Sequence, residues 1–118
     1  MVKGMFKIRR VYEKPDERDG VRVLVDRLWP RGLNKEEAEI DYWMKDIAPS
    51  DNLRKWFAHR EERWEEFKNR YFEELKEKNE ILKQLQSSGK NKMVTLLYAA
   101  KDKEKNNAQV LLEILKGK

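Results

Sequence analysis

Two short segments of the chain are nearly apolar along their whole length, VRVLVD at 21–26 and KMVTLLYAA at 92–100. Runs of this length, rich in Val and Leu and bounded by turn formers, predict strands covered on both faces of a sheet. A third segment, MFKIRRVY at 5–12, mixes Ile, Val and aromatics with basic residues and also predicts a strand, and the KPDERDG that follows it concentrates turn-forming Pro, Asp and Gly. The pattern changes to helical spacing beyond Pro49. Ser50 is placed to accept from free backbone N–H groups and Asp51 to face the positive end of the dipole, so Leu53, Trp56 and Phe57 predict a helix over 51–59. Trp64, Phe67, Tyr71 and Leu75 form one apolar stripe on a helix over 62–76, whose other faces carry Glu, Lys and Arg. A break near Lys78-Asn79 precedes a further helical stretch with Ile81, Leu82 and Leu85. Asn34, three residues before Glu37, predicts a short helix from Lys35, and Asn106 or Asn107 caps a last helix holding Val110, Leu111, Ile114 and Leu115. The stretch EIDYWMKDI at 39–47 fits helix and strand equally.

This order, two strands, helices, a strand and a helix, predicts that 21–26 and 92–99 lie side by side and parallel across a long helical crossover. The expected fold is a small α/β sandwich, one domain over 1–118, with a three- to four-stranded mixed sheet whose central parallel strands are flanked by helices. Parallel strands end on the same edge. The loops RLWPRG at 27–32 and AAKDKEKNN at 99–107 are therefore expected to meet where such sheets bind ligands.

Composition narrows the function classes. Charged residues make up 42% of the 118 residues and Lys plus Arg exceed Asp plus Glu by 27 to 22, so the chain is mildly basic with mixed signs. That balance permits phosphate or acidic partners without the lopsidedness of dedicated nucleic-acid domains. Cysteine is absent, which excludes disulfides, thiolate catalysis, iron–sulfur sites and cysteine-based zinc sites, and the lone His59 cannot build a multi-histidine metal site. No run approaches the ~18 apolar residues of a membrane span, and MVKGMFKIRR lacks the apolar core of a signal peptide, so a cytoplasmic location without membrane association is expected. No Walker loop, GxGxxG, GxSxG or HExxH is present, and the sequence names no cofactor.

The candidate chemistry gathers at the strand edge. Arg27, Arg31 and Lys101 are positioned to hold an anion near the start of the last helix, where Asn107 and the free N–H groups lie. The same position suits Arg27 for pairing with Asp26, Asp46 or Asp102 as structural glue. Trp29 either walls a pocket there or plugs the end of the sheet. Asp102 is a candidate for moving a proton or orienting a ribose, and equally for capping its own turn. His59 is a candidate acid/base, and equally a partner for a helix end. Arg54 and His59 are five residues apart, about 140° net around a helix, so a continuous helix turns only one of them into the site, and Arg54 is the expected one.

The runs VRVLVDRLWPRGL, WMKDIAPSDNLRKWFAHREERWEEFKNRY and VTLLYAAKD, with paired Asn before an apolar helix, resemble the YeaO-like family of small prokaryotic proteins of unknown function. The resemblance implies a compact α/β fold and no established activity. It adds Tyr98 to the candidate ligand contacts, alongside Arg27, Trp29, Arg31, Arg54, Lys101 and Asn107. Larger relatives carry a Cys and a His where this chain has KEKNN, so any role of that thiol does not transfer. The expected function is binding of a small phosphorylated ligand or nucleotide at the strand edge. If the protein is an enzyme, it is a hydrolase or transferase using Asp102 or His59. The alternatives are a nucleic-acid-binding module using basic helix surfaces and a protein-interaction domain using the long charged helix.

Overall fold

The computed structural model describes residues 5–117, and its sheet has four strands: β1 Met5–Arg10, β2 Val21–Leu24, β3 Tyr42–Trp43 and β4 Met93–Tyr98. Their spatial order is β1-β4-β2-β3, with Met5 beside Met93, Val21 beside Val94 and Val23 beside Tyr42. The predicted adjacency of the two apolar strands holds. Every pairing is parallel, so the expected mixed sheet is corrected to an all-parallel one. The cause lies in residues 11–20. They do not turn β1 back against β2 but carry the chain across the face of β4, which takes the place between them.

Helices complete the fold: α1 Lys35–Ala38, α2 Asp51–Phe57, α3 Trp64–Lys76, α4 Asn79–Ser88 and α5 Asn107–Gly117. Asn34 and Ser50 accept N–H groups at the starts of α1 and α2, as their sequence positions predict. The ambiguous stretch 39–47 divides into β3 and a 3-10 turn over Lys45–Ile47. Strand alternation sorts the core into two layers. Phe6, Val23, Val25, Val94, Leu96 and Tyr98 face α2 to α5 and pack with Trp64, Phe67, Tyr71 and Leu75, all buried. On the other face Leu24 and Leu97 pack with Val11, Ala38 and Ile40.

That second face also buries charge. Asp19 is 0% exposed and Arg22 3% exposed. The Asp19 carboxylate pairs with Arg22, with Lys7 at 2.9 Å and with Arg9 at 2.8 Å, while Thr95 on β4 donates to the Asp19 carbonyl at 2.7 Å. Burial opposes ionisation of Asp19. Bonds from Lys7, the Asp16 N–H and Arg9 outweigh it and hold the carboxyl below its ordinary value. Gly20 follows with φ +66°, and a Cβ there would stand 2.1 Å from the Met93 carbonyl oxygen. Only glycine allows so close a crossing.

Removing one partner of this cluster leaves buried charge uncompensated, so Asp19→Ala is expected to cost about 3–5 kcal/mol in denaturant unfolding. Trp64→Ala, which opens a cavity in the other layer, is expected to cost a similar ~3–5 kcal/mol. A loss below ~1 kcal/mol for Asp19→Ala would remove the cluster from any role in holding the sheet.

Candidate functional site

The ends of β2 and β4 are joined by one carboxylate. The backbone ladder between them runs up to the Val25 N–H, which donates to the Leu97 carbonyl at 3.1 Å. One step further the Asp26 side chain replaces the backbone, its Oδ2 accepting the Ala99 N–H at 2.9 Å. Its Oδ1 accepts from Asn107 Nδ2 at 3.1 Å, and the same amide donates to the Val25 carbonyl at 3.0 Å. Asn106 begins α5, its Oδ1 accepting the Gln109 N–H at 2.9 Å. The two asparagines thus divide the work: one caps the helix, the other ties its start to β2.

A cleft of about 540 Å³ opens above this junction, between the loop after β2, the end of α2 and the start of α5. Arg27, Trp29, Arg31, Arg54, His59 and Asn107 line it, as do Asp26, Lys55 and Lys105. Lys101, Asp102 and Tyr98 are not among its lining residues. Lys101 is exposed on the following loop, and Tyr98 is buried against the helix layer. Asp102 holds its own turn, accepting the Glu104 and Lys105 N–H groups at 2.9 and 3.0 Å, which keeps its carboxyl below the ordinary range.

Both Arg54 and His59 reach the cleft, because the helix does not continue to 59. It ends at Phe57, and Ala58 and His59 take left-handed φ values of 48° and 57° that swing the chain round. Two successive non-glycine residues in that region store backbone strain, a feature that clusters at functional sites. Trp29 lines the cleft, and its indole donates to the Leu33 carbonyl at 3.0 Å and packs on the second layer. Trp43 sets its ring edge-on to Trp29 at 5.4 Å and donates to the Asp26 carbonyl at 2.7 Å.

Three of the five cations lining the cleft pair with acids, Arg54 and Lys55 with Asp51 and Lys105 with Glu61, whereas the two arginines of the loop after β2 do not. Arg27 pairs with none of Asp26, Asp46 or Asp102; it donates to the Pro49 and Ala48 carbonyls at 2.9 and 3.3 Å. Among the described residues neither Arg27 nor Arg31 has a carboxylate oxygen within 4.0 Å. Arg54 pairs with Asp51 at 2.9 Å, yet its Nε is a buried donor without an acceptor. Asp26, the one carboxylate lining the cleft, was not singled out for chemistry by sequence position. Its only sequence signal is its place as the first polar residue after an apolar strand. Burial raises its pKa, against the Ala99 and Asn107 bonds and the nearby His59 and Arg54 side chains.

The chain matches, over residues 5–118, the sequence model of a family described as the inactive DUF488-N3 subclade. It belongs to that family. It is similar to the uncharacterised protein YeaO of Escherichia coli K12, 41% identical over 112 residues that cover 95% of this chain and 97% of the relative. The uncharacterised protein Rv3073c of Mycobacterium tuberculosis H37Rv is 40% identical over 112 residues, 95% of this chain and 94% of its own. An uncharacterised Mycobacterium bovis protein, Mb3100c, matches to the same extent. No solved structure matches. The YeaO-like resemblance read from DRLWPRG and the last strand therefore holds for nearly the whole length of this DUF488-N3 chain. Among the described residues no helix is long and apolar enough to cross a membrane.

Because the Asp26 carboxyl holds its proton more tightly folded than unfolded, its share of stability is present below its ordinary value of 3.8 and is lost as pH rises through the raised folded value. Thermal melts at a series of pH values upward from 4 should show the parent losing stability relative to Asp26→Asn across that window. Parallel profiles for the two proteins would show that the carboxyl is not shifted.

Proposed function

We propose that the cleft binds a small phosphorylated molecule and that the protein acts by binding rather than by catalysis. The observation that carries this reading is the concentration of five Lys and Arg side chains around a cleft with one carboxylate, two of the arginines having no acidic partner. Like charges held together oppose stability unless an anion neutralises them. A cleft volume within the ~300–1,000 Å³ usual for small-molecule sites supports the same reading.

Two things favour binding over chemistry. Of the acid/base candidates, Asp102 is committed to its turn outside the cleft, and the carboxyl that does share the cleft with His59, Asp26, has both oxygens engaged in holding Ala99 and Asn107. The family to which the chain belongs is described as an inactive subclade.

The helix surfaces do not favour nucleic acid. Cations on α3 pair with nearby acids, Arg70 with Glu66 and Lys76 with Glu73 in the same helix and Lys68 with Glu113 of α5, so its outer face is mixed rather than a basic stripe.

Thermal unfolding with millimolar phosphorylated metabolites tests the proposal. A ligand at 100 times its dissociation constant should add about 2.7 kcal/mol, a shift of several degrees for a domain of this size. Arg54→Gln should reduce that shift. No shift across a broad panel, together with salt-sensitive binding to DNA or RNA, would replace this reading with the nucleic-acid one.

A further inference from the structure

We propose that the phosphorylated ligand of this cleft is a nucleotide, with its phosphate among the arginines and its base lying on Leu28 and reaching Asp26. The inference rests on the phosphate reading above and adds the chemistry of the ligand's other end.

Leu28 is 55% exposed although it lines the cleft between Arg27 and Trp29. Few large apolar side chains among the described residues are this exposed. Pro30 continues the same wall, and Phe57 and Phe67 line the cleft from the helix side. A ligand that is polar throughout, such as a sugar phosphate, gains nothing from covering an isobutyl group. A flat, weakly polar ring does gain, because laying its face on Leu28 removes that group from water.

Asp26 makes the opposite demand to the arginines. Its two oxygens accept one bond each, from Ala99 and Asn107, and a carboxylate oxygen has capacity for a second. A phosphate oxygen would meet only acceptor lone pairs there, whereas an N–H donor would be received. The cleft therefore asks for a bipolar ligand: an anion at one end, and a flat ring carrying N–H donors at the other. Nucleobases supply such donors on their edges, the amino groups of adenine, cytosine and guanine among them. Ribose supplies the link between base and phosphate.

Isothermal titration of the full chain with AMP, GMP, CMP, UMP, ribose 5-phosphate and inorganic pyrophosphate tests this. At least one nucleotide should bind tenfold or more tightly than ribose 5-phosphate. Leu28→Ser, an exposed substitution whose folding is checked by its melting curve, should bring that nucleotide down to the affinity of ribose 5-phosphate. If ribose 5-phosphate binds as tightly as all four nucleotides, or if Leu28→Ser keeps the preference, the phosphate reading stands and the base site is refuted. If none of the six binds, the phosphate reading fails and the nucleotide falls with it.

Discussion

The Asp19 carboxylate lies where water cannot reach it, between strands that bring two arginines and a lysine to it. Desolvating a charge is expensive unless it is paired and hydrogen-bonded, and here the partners come from β1, from β2 and from the crossing segment itself. Lys7 and Arg9 alternate with Phe6 and Ile8, so β1 presents apolar residues to the helices and cations to Asp19. The result is a polar staple on a sheet face that has no long helix to cover it. It holds residues 11–20 against β4, with Gly20 allowing contact close enough for Thr95 to reach the Asp19 carbonyl.

The geometry of the cleft depends on that crossing. With the segment passing over β4, the strand order becomes β1-β4-β2-β3, and β2 and β4 end side by side. Asp26 then spans the last rung between them, which sets the loop after β2 and the start of α5 a fixed distance apart. The segment leading into α2 is anchored by Arg27 and Lys78, both donating to the Ala48 carbonyl, and by Tyr71, whose hydroxyl donates to the Ile47 carbonyl at 2.6 Å. Arg27 thus serves the frame through its hydrogen bonds and the cleft through its unneutralised charge. The two uses are compatible because a carbonyl accepts a bond without cancelling a full charge.

Stability is not maximised around this cleft. Ala58 and His59 hold left-handed backbone, Arg54 has an unfilled donor, and Asp26 keeps a carboxyl in surroundings that oppose its ionisation. These features sit together at one edge of the sheet, though they are not confined to it: Glu39 and Asn91 also hold left-handed backbone, and Arg22 Nη2 in the Asp19 cluster is likewise a buried donor without an acceptor. Under the anion-binding proposal such local costs have a reason, since a bound anion would relieve the repulsion between Arg27 and Arg31.

Elements with a strong local signal were legible in the chain. The apolar runs at 21–26 and 92–100, the Trp64-Phe67-Tyr71-Leu75 stripe and the Ser50 cap specify strand and helix through burial and backbone hydrogen bonding alone, and parallel pairing across the helices follows. Arg27, Arg31 and Asn107 were also legible as neighbours, because parallel strands must end on one edge, and Arg54 from its place on the helix that Ser50 caps. Other features depended on residues far apart in sequence. Asp19 reads as a turn acid until Lys7, Arg9 and Thr95 surround it, and the mixed-sheet expectation failed because nothing local distinguishes a turn from a crossing. Asp26 reads as a strand terminus until Ala99 and Asn107 reach it from the other end of the chain. His59 joined Arg54 because the helix stopped short, an outcome decided by where Phe57 packs on Phe67 and not by periodicity. Hydrophobic pattern and capping act over a few residues and are written along the chain; pairing of a buried charge is decided only when distant strands close around it.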